Sequence, residues 1–196
     1  MTIINSDHTC RCGAVADAEG IYGLVCKQAP SRIARHHAIN YVIVHVISSS
    51  SIPVTKEPVS LTRLDSKRPD GLTLTPWHGG KLLTWDVISI LADSYLHATS
   101  HSAGGTAAET ASSRKALKYS SIPTDYISQP VAFETQGSFD ASSFDFLCEV
   151  GRHLTAFSGD LRVTSFLFQR LSVLIQRFSS VLTLESFIST DEDPDL

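Results

Sequence analysis

The chain has 196 residues, 42% hydrophobic and 18% charged, with a formal net charge of −4, which suits one soluble domain with its own core and room only for small appendages. No stretch supplies the ~20 uninterrupted apolar residues of a membrane helix, and Met1 to His8 has neither the charged n-region nor the apolar h-region of a secretory signal, so an intracellular protein is expected. The acidic sum weighs mildly against a polyanionic partner, although part of it comes from the terminal run Asp191-Glu-Asp-Pro-Asp195, expected to be a disordered tail.

Residues 1–30 form a small segment without periodicity that holds three of the four cysteines, Cys10, Cys12 and Cys26. In a reducing compartment such clustering favours a metal site over disulfides. A helix pattern starts at Ser31, with Ile39, Val42, Ile43, Val46 and Ile47 on one stripe, and Ser48 to Ser51 with Pro53 end it. Strand-like runs follow at Val54–Leu61, Gly71–Thr75 and Leu82–Ile90. The turn His78-Gly79-Gly80 makes the last two a hairpin. Residues 98–113 run from a loop into a helix that carries Arg114, Lys115, Lys118 and Tyr119, and Val131–Thr135 is one more strand. Two helices close the chain. Phe144, Leu147, Val150, Gly151 and Leu154 stripe the first; Val163, Phe166, Leu167, Leu171, Ile175, Phe178 and Leu182 stripe the second. Phe166, Phe168 and Phe178 are core by spacing, and Cys148 reads as a buried small apolar residue. This order of elements is that of an α/β domain around a mixed sheet.

Two acids draw attention. Asp70 follows Pro69 at the start of one strand, and Asp86 interrupts an apolar run on the next. A buried carboxylate is costly unless it meets a cation or strong donors, and two that converge need a metal, a shared proton or a basic partner. A hard cation such as Mg²⁺ takes carboxylate oxygens and waters and can activate water against a phosphodiester. A lysine nearby would steady the developing charge, and Lys115 and Lys118 lie three apart on the following helix. Each has a plainer reading: a turn aspartate for Asp70, a solvated helix face for the lysines, a strand-edge carboxylate for Glu134, helix-end packing for Arg35 and His36.

Pro69-Asp70, then Asp86 on the next strand, then a lysine is similar to the PD-(D/E)XK nuclease pattern. Its usual lysine place, two residues after the second acid, holds Ile88. The chain therefore resembles most the restriction-like endonuclease region at the C-terminus of non-LTR retrotransposon reverse transcriptases, whose lysine sits on the following helix. Arg35-His36-His37, Arg114 to Tyr119 and Val131 to Gly137 resemble further elements of that region, in its order, and Cys10-Arg-Cys12 with Cys26 resembles its upstream zinc knuckle. Tyr22 stands where the knuckle's histidine would fall.

The resemblance implies a restriction-endonuclease-like core (helix, three strands, helix, strand) with two C-terminal helices over residues 31–188, after a knuckle-like segment 1–30 and before an acidic tail 189–196. It implies a metal-dependent DNA endonuclease that nicks a target site, acting in the nucleus. Asp70 and Asp86 would hold Mg²⁺ or Mn²⁺. Lys115 or Lys118 would assist the attacking water, with Glu134 as a further catalytic acid. Arg35, His36, Arg68 and Tyr119 would contact DNA, and Cys10, Cys12 and Cys26 would hold Zn²⁺. Double-stranded target DNA is the implied partner, with the element's RNA as a second and no membrane. No polymerase signature is present in the sequence. The alternative is a catalytically inactive nucleic-acid-binding remnant of the same element.

Overall fold

The computed structural model describes residues 6–18, 20–62, 68–90, 106–118, 124–135 and 137–187; the side chains of residues 90, 106, 107 and 115–118 lie outside that description. The acidic tail and Tyr119 fall outside it too.

A two-stranded hairpin, β1 (His8–Thr9) and β2 (Val15–Ala16), precedes a short helix, α1 (Ile21–Val25). Then come α2 (Ser31–Ser49), β3 (Val54–Lys56), β4 (Gly71–Thr73), β5 (Leu82–Ile90), α3 (Thr106–Lys118), β6 (Tyr126–Glu134), α4 (Ala141–Ser158) and α5 (Val163–Ser186). The result is a mixed α/β fold whose four-stranded sheet runs β3-β4-β5-β6, with two long C-terminal helices. The order helix, three strands, helix, strand, two helices is the one expected from the sequence. β3 and β4 are antiparallel, as are β4 and β5, while β5 and β6 are parallel across α3. Among the described residues no helix is long and apolar enough to cross a membrane.

Alternation along a strand decides which layer each residue joins. Leu83, Trp85 and Val87 of β5 and Val131 and Phe133 of β6 share one core with the stripe Ile39, Val42, Ile43, Val46 and Ile47 of α2 and with residues of α4 and α5. The other face of the same strands carries Ile88 and Ala132, covered by Ala108 and Ala111 of α3. Small residues on α3 thus let that helix lie close against β6.

β6 begins earlier than Val131 because Tyr126, Ile127 and Ser128 pair with Leu82, Leu83 and Thr84. Pro130 sits inside it without breaking it. β6 is an edge strand, where a missing ladder donor does little harm. The Pro130 carbonyl instead accepts from Gln129 Nε2 and from Ser143 Oγ of α4, and Ser143 Oγ also accepts from the Ala132 amide at 2.8 Å.

Three core expectations are corrected. Phe166 is 68% exposed and Phe144 49% exposed, since the buried stripes run through Leu167, Leu171 and Ile175 on α5 and Phe146, Leu147 and Val150 on α4. Cys148 is only half-buried.

Candidate functional site

The strand pair β4–β5 brings the two acids onto adjacent strands. Gly71 is registered with Trp85, so Asp70 and Asp86 are the next residues along the two strands. Gly71 has to be glycine: a Cβ there would come within 2.0 Å of the Trp85 indole. At Asp70 the ladder changes partner. Its amide donates to the Trp85 carbonyl at 2.9 Å, and its carboxylate Oδ2 accepts from the Val87 amide at 2.6 Å. Asp70 therefore brackets Asp86, holding the residue before it and the residue after it.

The other Asp70 oxygen, Oδ1, is 3.1 Å from His36 Nε2, which comes from the first turns of α2. One turn on, Asn40 was not singled out from the sequence. It donates through Nδ2 to the Asp70 carbonyl at 3.3 Å and accepts through Oδ1 from Trp85 Nε1 at 2.9 Å. A polar residue inside an apolar helix stripe was the signal. Asn40 locks α2, the start of β4 and β5 into one unit.

Asp86 is 7% exposed, within β5 between β4 and Pro130 of β6. Strand alternation puts it on the face of Ile88, the face that α3 covers. Lys115 and Lys118 lie at the end of that helix, but their side chains are outside the described residues. Glu134, at the end of β6, accepts through Oε1 from the Ala108 amide in the first turn of α3 at 3.4 Å.

The flanking candidates divide. His36 is brought to Asp70. Arg68 pairs with Glu57 at 2.5 Å on the surface. Arg35 is not placed to meet a phosphate: it is 1% exposed, on the line of Ile39, Val42 and Val46, and its Nε and Nη1 have no hydrogen-bond partner. Burial, then the charge of Arg32, pulls its guanidinium down to about 10.

The second constellation is at the N-terminal end. The β1–β2 hairpin turns through Cys10, whose amide donates to the Ala14 carbonyl at 2.8 Å and whose carbonyl accepts from the Gly13 amide at 2.7 Å. Asp17 caps α1 by accepting from the Ile21 and Tyr22 amides at 3.0 and 2.7 Å, and Cys26 follows directly after the helix. α1 is pressed onto α5: a Cβ on Gly23 would meet the Leu182 carbonyl oxygen at 2.3 Å. This brings the sulfurs of Cys10, Cys12 and Cys26 within 4.8 Å of one another, with Cys10 and Cys26 buried and their sulfurs 3.7 Å apart. All three are free thiols, and three clustered thiolates suit zinc.

Tyr22 Oη lies 3.1 Å from Cys12 Sγ. That hydrogen bond first, and the backbone at Ala14 next, brings the Cys12 thiol down to about 7. Burial raises Cys10 to about 11, and the bond to Cys12 raises Tyr22 to about 12. His8 stays out of the group, its ring stacked on Phe187 at 4.1 Å.

The two centres differ in their fitness for metal. Among the described residues the thiol cluster is the one group of three or more metal-donor side chains close enough to share an ion, and no such group contains Asp70 or Asp86. No protein-family model and no curated protein matches the chain.

Proposed function

We propose that the chain is a metal-dependent DNA endonuclease of the PD-(D/E)XK kind, whose reacting centre is the β4–β5 strand pair. The observation that carries the reading is that two acids come from adjacent strands, with one of them, Asp86, nearly buried on the sheet face that α3 covers. A divalent ion held there by Asp70 and Asp86 would supply an activated water and charge neutralisation at phosphorus. The chain's own residues prepare the place. His36 and the Val87 amide fix the Asp70 carboxylate. Asn40 keeps its main chain against Trp85, and a lysine of α3 would steady the charge that develops.

One observation favours a second reading, a nucleic-acid-binding remnant that no longer cuts. Both oxygens of Asp70 are already engaged, which makes this residue a structural clamp between α2 and β5 as it stands. The test separates the clamp from the chemistry. The full chain is incubated with supercoiled plasmid in Mg²⁺ or Mn²⁺, with EDTA as control, beside Asp86→Asn and Asp70→Asn. Each variant keeps the shape of its side chain, and each is checked for an unchanged thermal transition. Nicking that needs the metal and is lost in folded Asp86→Asn supports the nuclease. Retarded plasmid without nicking supports the remnant, and neither effect rejects both readings.

A further inference from the structure

We propose that zinc at the thiol cluster has only three protein ligands, Cys10, Cys12 and Cys26, and that its fourth position is open to an exchangeable small ligand such as water, an imidazole or an external thiol. The inference rests on reading this cluster as a zinc site and is independent of any nuclease activity.

A closed structural zinc site has four protein donors, drawn from thiolate, imidazole and carboxylate; a site with three keeps a position for solvent or substrate. Three of the four are on hand here. Among the described residues the nearby candidates for the fourth are turned away or engaged elsewhere. His8 has no hydrogen-bond partner on either ring nitrogen, but its ring is stacked on Phe187 and it lies outside the group of donors close enough to share an ion. Asp17 spends both oxygens on the amides of Ile21 and Tyr22 that start α1. Among the described residues the remaining group is Tyr22, and it meets Cys12 at 3.1 Å, an oxygen-to-sulfur hydrogen bond.

Charge decides what Tyr22 does there. Zn²⁺ with three thiolates carries one net negative charge. Adding a phenolate would raise that to two in a place where two of the sulfurs are buried, and a second unpaired charge at such a site is expensive. A neutral phenol that donates to the Cys12 sulfur keeps the lower charge and stabilises the thiolate. Cys12 is also the half-buried member of the three, so the open position is reached from its side.

The experiment uses cobalt as the probe. The metal-free full chain is titrated with Co²⁺, and the thiolate charge-transfer and ligand-field bands are recorded with and without imidazole. Added imidazole is expected to shift the ligand-field bands of the wild type. Tyr22→Phe is expected to keep the wild-type bands and to bind cobalt about tenfold more weakly, the loss of one outer-shell hydrogen bond. Tyr22→His is expected to bind more tightly and to ignore imidazole, because the position is then closed. Wild-type bands indifferent to imidazole, or bands altered in Tyr22→Phe, would make Tyr22 a ligand and overturn the proposal. A wild type that takes up no cobalt at all would reject the zinc reading beneath it.

Discussion

Arg35 is the residue whose position is hardest to reconcile with stability alone. A guanidinium with two nitrogens lacking hydrogen bonds, on the core side of α2, is penalised by folding at every pH below about 10, where it is charged. A fall in pKa of that size corresponds to roughly 3 kcal/mol. Arg35→Met keeps the stem and removes the charge. It is expected to stabilise the protein by about 1–3 kcal/mol, a rise of roughly 3–10 °C in the midpoint of thermal unfolding. A lowered midpoint would show that the arginine has a compensating partner. At the thiol cluster the residue-scale expectation concerns rate. In metal-free protein Cys12 is the thiolate above about pH 7, whereas Cys10 stays a thiol until about pH 11. Iodoacetamide labelling followed by mass spectrometry should therefore mark Cys12 first, with half its limiting rate near pH 7. In Tyr22→Phe that midpoint should move upward, because the largest cause of the shift is gone. Equal labelling of Cys10 and Cys12 at neutral pH would refute the assignment.

At the scale of elements, the part of the fold that was legible is the part where periodicity and burial agree. The α2 stripe was readable because five apolar residues repeat at helical spacing and all five are buried. Leu82–Ile90 was readable because its residues are almost continuously apolar and it lies between two strands. The long amphipathic helices were readable as helices but not in detail. On α5, aromatic residues lie on both the buried and the solvent sides, and only the packing of α2 and α4 chooses between them. β6 was truncated in the sequence reading because Pro130 looks like a stop, and its edge position cannot be seen before the sheet is assembled. Of the site, the acids and the cysteines were legible from their residue types. Asn40 was missed and Arg35 misplaced, since both depend on the exact rotation of α2. The element that fixes the site is the close contact of β4 on β5. Gly71→Ala drives a methyl into the Trp85 ring, which is itself pinned by Asn40, so the strands must separate or the indole must leave its place. This substitution is expected to cost about 1–3 kcal/mol, measured by urea unfolding. It should also loosen Asp70, whose amide bonds to the Trp85 carbonyl. An unchanged midpoint would mean that the two strands are not in register as described.

At the scale of the whole molecule, the sheet separates two environments. One side is filled by α2, α4 and α5 around the main core, and the other is closed by α3. The helical side has its own cavity of about 590 Å³ between α2, α4 and α5, lined by His45, Arg162 and Arg170 with Phe166 and Leu154. Cations there suit a phosphate, yet Asp86, the nearly buried acid of the proposed centre, is on the α3 side with Ile88. The sheet lies between them, and Arg162 is already paired with Asp160 at 3.1 Å. If the substrate is worked on at the carboxylates, Arg170→Ala should alter plasmid nicking by less than ~3-fold, while Lys115→Ala combined with Lys118→Ala should lower it by ~100-fold or more, the scale of losing a charged catalytic group. Binding and nicking measured side by side distinguish the routes. A large loss in Arg170→Ala with the lysine variant intact would place the working surface on the helical side and take the function away from the strand pair.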